Sequence, residues 1–246
     1  MKKIISFFLA ITMALSLAAC SATENQENQS SEALESSSAV LEQETIDSSS
    51  SEMKASGSEP SEIDEEQESN VLVAYFSWAD NAILADDVDA VASPSVIPPG
   101  NVQQLAGWIQ EETGGDLFSI RVVDPYPSDW DDCLPRANQE RGDNARPELV
   151  EKVDGLDQYD TVFFGYPNWW YGVPMALLTF LEQNDLSGKQ VYLFCSHGTG
   201  GLASSVELIT EAAPDAIISE NIFDCYEEEA SSSQEEIQSW VAGLGF

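Results

Sequence analysis

Six consecutive apolar residues, Val71-Leu72-Val73-Ala74-Tyr75-Phe76, follow a polar stretch of about fifty residues. A run without alternation is the pattern of a strand covered on both faces, because both sides of its pleat meet apolar neighbours. Similar runs occur at Asp116–Val123, Thr161–Gly165, Gln190–Cys195 and Ala216–Ile222. Between them the period changes to that of a helix. Val102, Leu105, Ala106 and Ile109 share one face, with Asn101 placed to cap and Gly114-Gly115 placed to stop it. Further helices are expected to begin near Asp129, at Pro174, at Gly201 and at Ser232. Five strands alternating with five helices predict an α/β fold with a doubly wound parallel sheet, since parallel neighbours need crossover helices.

The N-terminal pattern is different. Met1-Lys2-Lys3, an apolar run from Ile4 to Ala19 and the sequence Leu17-Ala18-Ala19-Cys20 read as a lipoprotein signal. Residues 1–19 are expected to be removed, leaving Cys20 as the lipid attachment point. A short uncleaved anchor is the alternative; either places the remainder outside the cytoplasm, on the membrane of the cell envelope. From Ser21 to Asn70 the chain has no Trp, Tyr or Phe, and fourteen acidic residues stand against Lys54. Such a segment buries too little apolar surface to offset its conformational entropy, so residues 20–69 are expected to form a disordered, extended stalk. Residues 70–246 are then one folded domain of adequate size for a core.

From Val71 onward the chain has 30 acidic residues and six Lys and Arg, a formal charge of −24. This charge argues against nucleic acid and against an anionic lipid surface as partners. Contact with the membrane is expected through the N-terminal lipid only. Cys133, Cys195 and Cys225 show neither a C-x-x-C pair nor zinc-ligand spacing, so no metal is expected. Cys195 and Cys225 are the pair to consider for a disulfide if their strands are neighbours; buried free thiols are the alternative.

In an open parallel sheet the ligand lies beyond the carboxyl ends of the strands, at the switch point. Three loops are placed there. The first carries Ser77, Trp78 and Asn81, then an insertion rich in Ala, Asp and Pro, then Gly100-Asn101-Val102 at a helix start. The second is Tyr166-Pro167-Asn168-Trp169-Trp170-Tyr171-Gly172. The third is Ser196-His197-Gly198-Thr199-Gly200-Gly201. The set suits flavin mononucleotide (FMN). Ser77, Asn81 and the amides near Gly100, Asn101 and Val102 are expected to receive a phosphate, and Trp169 or Trp170 to stack on the flat ring. Gly198, Gly200 and Gly201 permit close backbone approach to the ring edge. The paired tryptophans have the alternative of packing under loops. For His197 the alternatives are tuning the cofactor, passing a proton or making a plain polar contact. A hydrolase built on Ser77 and His197 lacks both a G-x-S-x-G elbow and a third partner.

Tyr75-Phe76-Ser77, the split Gly100-Asn101 element, Asp124-Pro125-Tyr126-Pro127, Gly165-Tyr166-Pro167-Asn168-Trp169-Trp170 and Ser196-His197-Gly198-Thr199-Gly200-Gly201 together resemble the flavodoxin-like family, in particular its exported lipoprotein branch. The resemblance covers nearly all of Val71–Phe246. It implies a five-stranded sheet in the order 2-1-3-4-5, non-covalent FMN and electron transfer with a redox partner protein or small-molecule acceptor. The family's Ser/Thr-x-Thr-Gly-Asn-Thr phosphate loop is here interrupted by a long insertion, and Val102 stands at its final Thr. Two other functions compete: an FMN-dependent NAD(P)H reductase of quinones or small acceptors, and a flavin-free anchored binding module.

Overall fold

The computed structural model describes residues 70–84 and 94–246. The expected signal peptide, Cys20 and the stalk of residues 20–69 lie outside the described residues. The described residues begin with β1 (Val71–Tyr75), β2 (Ala82–Ile83), α1 (Asn101–Thr113), β3 (Asp116–Ser119), β4 (Tyr126–Pro127) and α2 (Trp130–Gly142). They continue through β5 (Thr161–Pro167), α3 (Met175–Gln183), β6 (Gln190–His197), α4 (Ser205–Ala212), β7 (Ile217–Ile218), β8 (Phe223–Tyr226) and α5 (Gln234–Leu244). The main sheet is parallel and runs β3-β1-β5-β6, with β7 and β8 both paired to β6. Counting one strand per position, this is the expected order 2-1-3-4-5.

Two expected strands need correction. The run Asp116–Val123 is strand only to Ser119; Ile120 still donates to Tyr75 O at 2.7 Å, and Val122 then bridges Leu149. The run Ala216–Ile222 forms only the two-residue β7. Ser219-Glu220-Asn221 interrupts its apolar pattern, and the chain returns to β6 as β8, with Phe223 beside Phe194 and Tyr226 beside His197. Asn221 accepts from the Trp240 indole at 3.1 Å, which holds the interruption against α5.

The strand alternation divides the core into two clusters. Leu72, Ala74 and Phe76 join Val162, Phe164, Tyr166, Ala176, Leu177 and Phe180 on one face of the sheet. Val71, Val73 and Tyr75 join Leu105, Ile109, Phe163, Ile237 and Val241 on the other. Each fully buried side chain of this size contributes about 1.5–3 kcal/mol through removal of apolar area from water. Gly165 is required by packing: a Cβ there would lie 2.1 Å from the Phe194 ring.

Cys133, Cys195 and Cys225 are free and buried. β6 and β8 are neighbours, yet Cys195 pairs in register with Asp224 and Cys225 with Ser196, so the two thiols belong to clusters on opposite faces. A Cys195–Cys225 disulfide is thereby ruled out. Burial pushes the Cys225 thiol up to about 11 and the Cys133 thiol up to about 12.

Candidate functional site

β1, β5 and β6 are adjacent, so the loops leaving their carboxyl ends meet at one edge of the sheet. There they surround a cleft of about 190 Å³. Of the residues expected from the sequence, Trp78, Pro167, Asn168, Trp169, Trp170, Ser196, His197, Gly198, Thr199 and Gly200 line it. Ser77, Asn81, Gly100, Asn101, Val102 and Gly201 are not on its wall. Ser95, Trp130, Tyr171 and Glu227 line it too, although the sequence reading did not select them. Tyr171 directly follows the tryptophan pair, and Trp130 directly follows the α2 cap Asp129. Glu227 follows β8, the strand whose position the hydrophobic pattern misplaced.

The first wall is a turn. Gly172 N–H donates to Trp169 O at 2.9 Å, and the two central residues, Trp170 and Tyr171, have φ of 54° and 61°. Two consecutive left-handed residues make a type I′ turn, normally built from Asn and Gly. Each side chain held there costs roughly 1–2 kcal/mol, because Cβ crowds the following carbonyl. The Trp169 ring does not face the cleft as a free plate. It is 9% exposed and meets Phe76, Trp78 and Tyr126 edge to face at centroid distances of 5.5, 6.1 and 5.2 Å. Trp170 instead packs against the half-exposed Trp130 at 5.4 Å, and its indole N–H is buried without an acceptor. Tyr171 is 66% exposed and its ring borders Gly200, where a Cβ would come within 3.0 Å.

The opposite wall is the loop after β6. Asn168 holds it to the first wall, its side-chain amide donating to Gly201 O at 2.6 Å and Leu202 O at 3.0 Å while its backbone N–H donates to Ser196 O. His197 is fixed by contacts of Nε2 with Asp224 Oδ2 at 2.8 Å and of Nδ1 with Gly198 O at 2.9 Å. Both ring nitrogens are therefore engaged away from Ser77, and no serine-histidine hydrolase pair forms.

At the base, Gly100 is the N-cap of α1, which corrects the expectation for Asn101. Asn101 is the first helical residue and its side-chain amide donates to Glu227 O at 2.8 Å and Ser196 Oγ at 3.2 Å. Asn81 likewise spends its amide on Ser77 O and Ile120 O, both at 2.9 Å, and accepts from Val122 N–H at 2.8 Å. It staples the loop after β1 to the chain leaving β3, and both amide hydrogens are engaged by backbone carbonyls. The Val102 side chain is buried in the second cluster and does not face the loop. Ser77 differs: its hydroxyl is buried with no hydrogen-bond partner. It lies beneath Gly100, where a Cβ would come within 2.3 Å of Ser77 Oγ. A hydroxyl without a partner, a glycine that leaves room above it and first-turn amides without intrahelical carbonyls together make a neutral anion cradle. Among the described residues, no Lys or Arg lines the cleft.

An open parallel sheet with an aromatic and glycine-bounded cleft at its switch point defines a doubly wound α/β domain. A family model described as Flavodoxin matches residues 70–244, and the chain belongs to the flavodoxin family. Among solved structures, the chain resembles a protein from Bacteroides eggerthii classed as a flavoprotein, at 26% identity and a TM-score of 0.55, over 72% of this chain and 99% of that one. A similar protein from Bacteroides uniformis matches at 24% identity and a TM-score of 0.55, over 72% and 99%. A Lactobacillus acidophilus flavoprotein solved in complex with FMN is 18% identical, with a TM-score of 0.49 over 68% and 99%. No curated protein matches the chain.

Proposed function

We propose that the domain binds FMN non-covalently and transfers electrons, held to the outer side of a membrane by a lipid on Cys20 and spaced from it by the acidic stalk. The observation that carries the reading is the buried, unpartnered Ser77 hydroxyl under Gly100 at the start of α1, beside an aromatic cleft at the sheet's switch point. Ser77 and the first amides of α1 would hold the phosphate without a cation. Trp170 and Tyr171 would flank the flat ring, and Gly198 and Gly200 would allow backbone groups to reach its edge. Bound FMN supplies one- and two-electron redox chemistry, while the protein sets access and surroundings. Asn168 keeps the two walls at a fixed separation, and the caged Trp169 excludes water from beneath the ring site.

The test is titration of the purified chain with FMN and with riboflavin. Saturable binding with quenched flavin fluorescence, tighter for FMN, is expected; no saturable binding would move the assignment to a flavin-free module. Oxidation of NAD(P)H by the loaded protein with a quinone would make it a reductase. Mass spectrometry of membrane-extracted protein checks the anchor, which requires an acylated Cys20 at the N-terminus.

A further inference from the structure

The Trp170–Tyr171 turn is held in an unfavourable conformation from outside, and each of its two carbonyls has a dedicated partner. Arg141, near the end of α2, donates through Nη1 to Trp170 O. Ser204, just before α4, donates to Tyr171 O twice, from Oγ at 2.5 Å and from its backbone N–H at 3.1 Å. The flanking residues are fixed as well: Trp169 lies in its aromatic cage, and a Cβ on Gly172 would come within 3.1 Å of Leu208. The turn geometry does not require a large aromatic residue at position 171, since Asn and Gly adopt this turn without crowding. Tyr171 is mostly exposed, so its ring adds little to the core. A crowded turn whose exposed Tyr171 adds little packing, and which is clamped from two separate elements, is the arrangement of a preorganised site.

We infer that Arg141 and Ser204 are positioning residues that clamp the Trp170–Tyr171 turn and so hold the Tyr171 ring, assigned above to the flat face of the ligand, at the mouth of the cleft. The ligand implied is a planar aromatic ring; the binding part of this inference rests on the FMN reading above, whereas the clamped strain does not. Arg141 acts through a carbonyl and not through its charge on the ligand, because it does not line the cleft. The two clamps come from α2 and α4, so the aromatic wall keeps its place only while both are docked on the sheet.

The experiment compares Tyr171→Asn, Tyr171→Phe, Arg141→Ala and Arg141→Lys in the full chain, measuring thermal midpoint without flavin and affinity for FMN. Asn tolerates the left-handed region, so Tyr171→Asn is expected to raise the flavin-free midpoint by about 2–4 °C. The same variant should bind FMN about tenfold more weakly, a loss at the low end of aromatic stacking on planar bases. Tyr171→Phe keeps an aromatic ring in the same strained turn and should bind FMN more tightly than Tyr171→Asn does. Arg141→Ala should weaken binding by roughly tenfold, a typical consequence of losing a hydrogen bond from a charged donor, and Arg141→Lys should restore part of it. A role confined to stability would move midpoint and affinity in the same direction. A midpoint that falls or stays level in Tyr171→Asn overturns the strain, and unchanged affinity in both Tyr171→Asn and Arg141→Ala overturns the positioning role. If the unaltered chain binds no FMN, the midpoint still decides the strain and the failure lies in the proposed function.

Discussion

At the residue scale, the adjacent tryptophans separate into two roles that their identical chemistry conceals in the sequence. Trp169 is surrounded edge to face by Phe76, Trp78 and Tyr126, whereas Trp170 borders the cleft with an unpartnered indole N–H. Trp169→Ala is expected to destabilise the fold by about 3–5 kcal/mol, the range for removing a buried aromatic. Trp170→Ala should cost much less stability but release flavin fluorescence and weaken FMN binding. Denaturant unfolding and fluorescence titration of both variants check the division; equal stability losses with unaltered binding would assign both rings to packing. Ser77 makes a second contrast. Its buried hydroxyl has no partner in the flavin-free fold, a condition that costs roughly 1–3 kcal/mol. Ser77→Ala should therefore stabilise the flavin-free protein while weakening FMN more than riboflavin, measured by thermal melts and parallel titrations. A stability loss, or equal effects on both flavins, would remove Ser77 from the phosphate site.

At the element scale, the strands buried on both faces were legible because their patterns have no competing explanation. Val71–Tyr75, Thr161–Pro167 and Gln190–His197 match continuous apolar runs, and the stop at Gly114 appears where its left-handed φ of 64° ends α1. The last sheet position was not legible. Ala216–Ile222 holds three isoleucines and Phe223–Tyr226 none, yet the latter pairs along the end of β6 and leads to Glu227 at the cleft. Apolar content marks burial but not register, and a strand beside a site alternates because one face meets polar groups. The asparagines make contacts that the sequence does not show, for a physical reason. Asn81 and Asn101 stand near a phosphate-type loop, but each side chain joins segments 39 or more residues apart in the sequence, contacts that local spacing cannot show. The strained turn escaped notice similarly, since Trp-Tyr carries none of the Asn-Gly signal that marks type I′ geometry.

At the scale of the whole molecule, charge and cleft chemistry combine into one signed expectation. The domain has a formal charge of −24, and most of its few cations are committed away from the cleft. Arg121 pairs with Glu151, Arg136 with Asp124 and Glu140, and Arg146 with Glu182, while Arg141 holds a turn carbonyl and Lys189 donates to Tyr159 O. A phosphate bound by a hydroxyl and backbone amides gains no ion pair to offset repulsion from this surface. FMN, a phosphate dianion, should therefore bind more tightly as salt rises from about 10 mM to about 100 mM, where the screening length falls from about 30 Å to about 10 Å. Riboflavin has no phosphate and should show little change over the same range. Affinities measured side by side at several salt concentrations test this directly. FMN binding that weakens with salt while riboflavin stays level would mean that a cation holds the phosphate, and the cradle of Ser77, Gly100 and the α1 amides would not be its site.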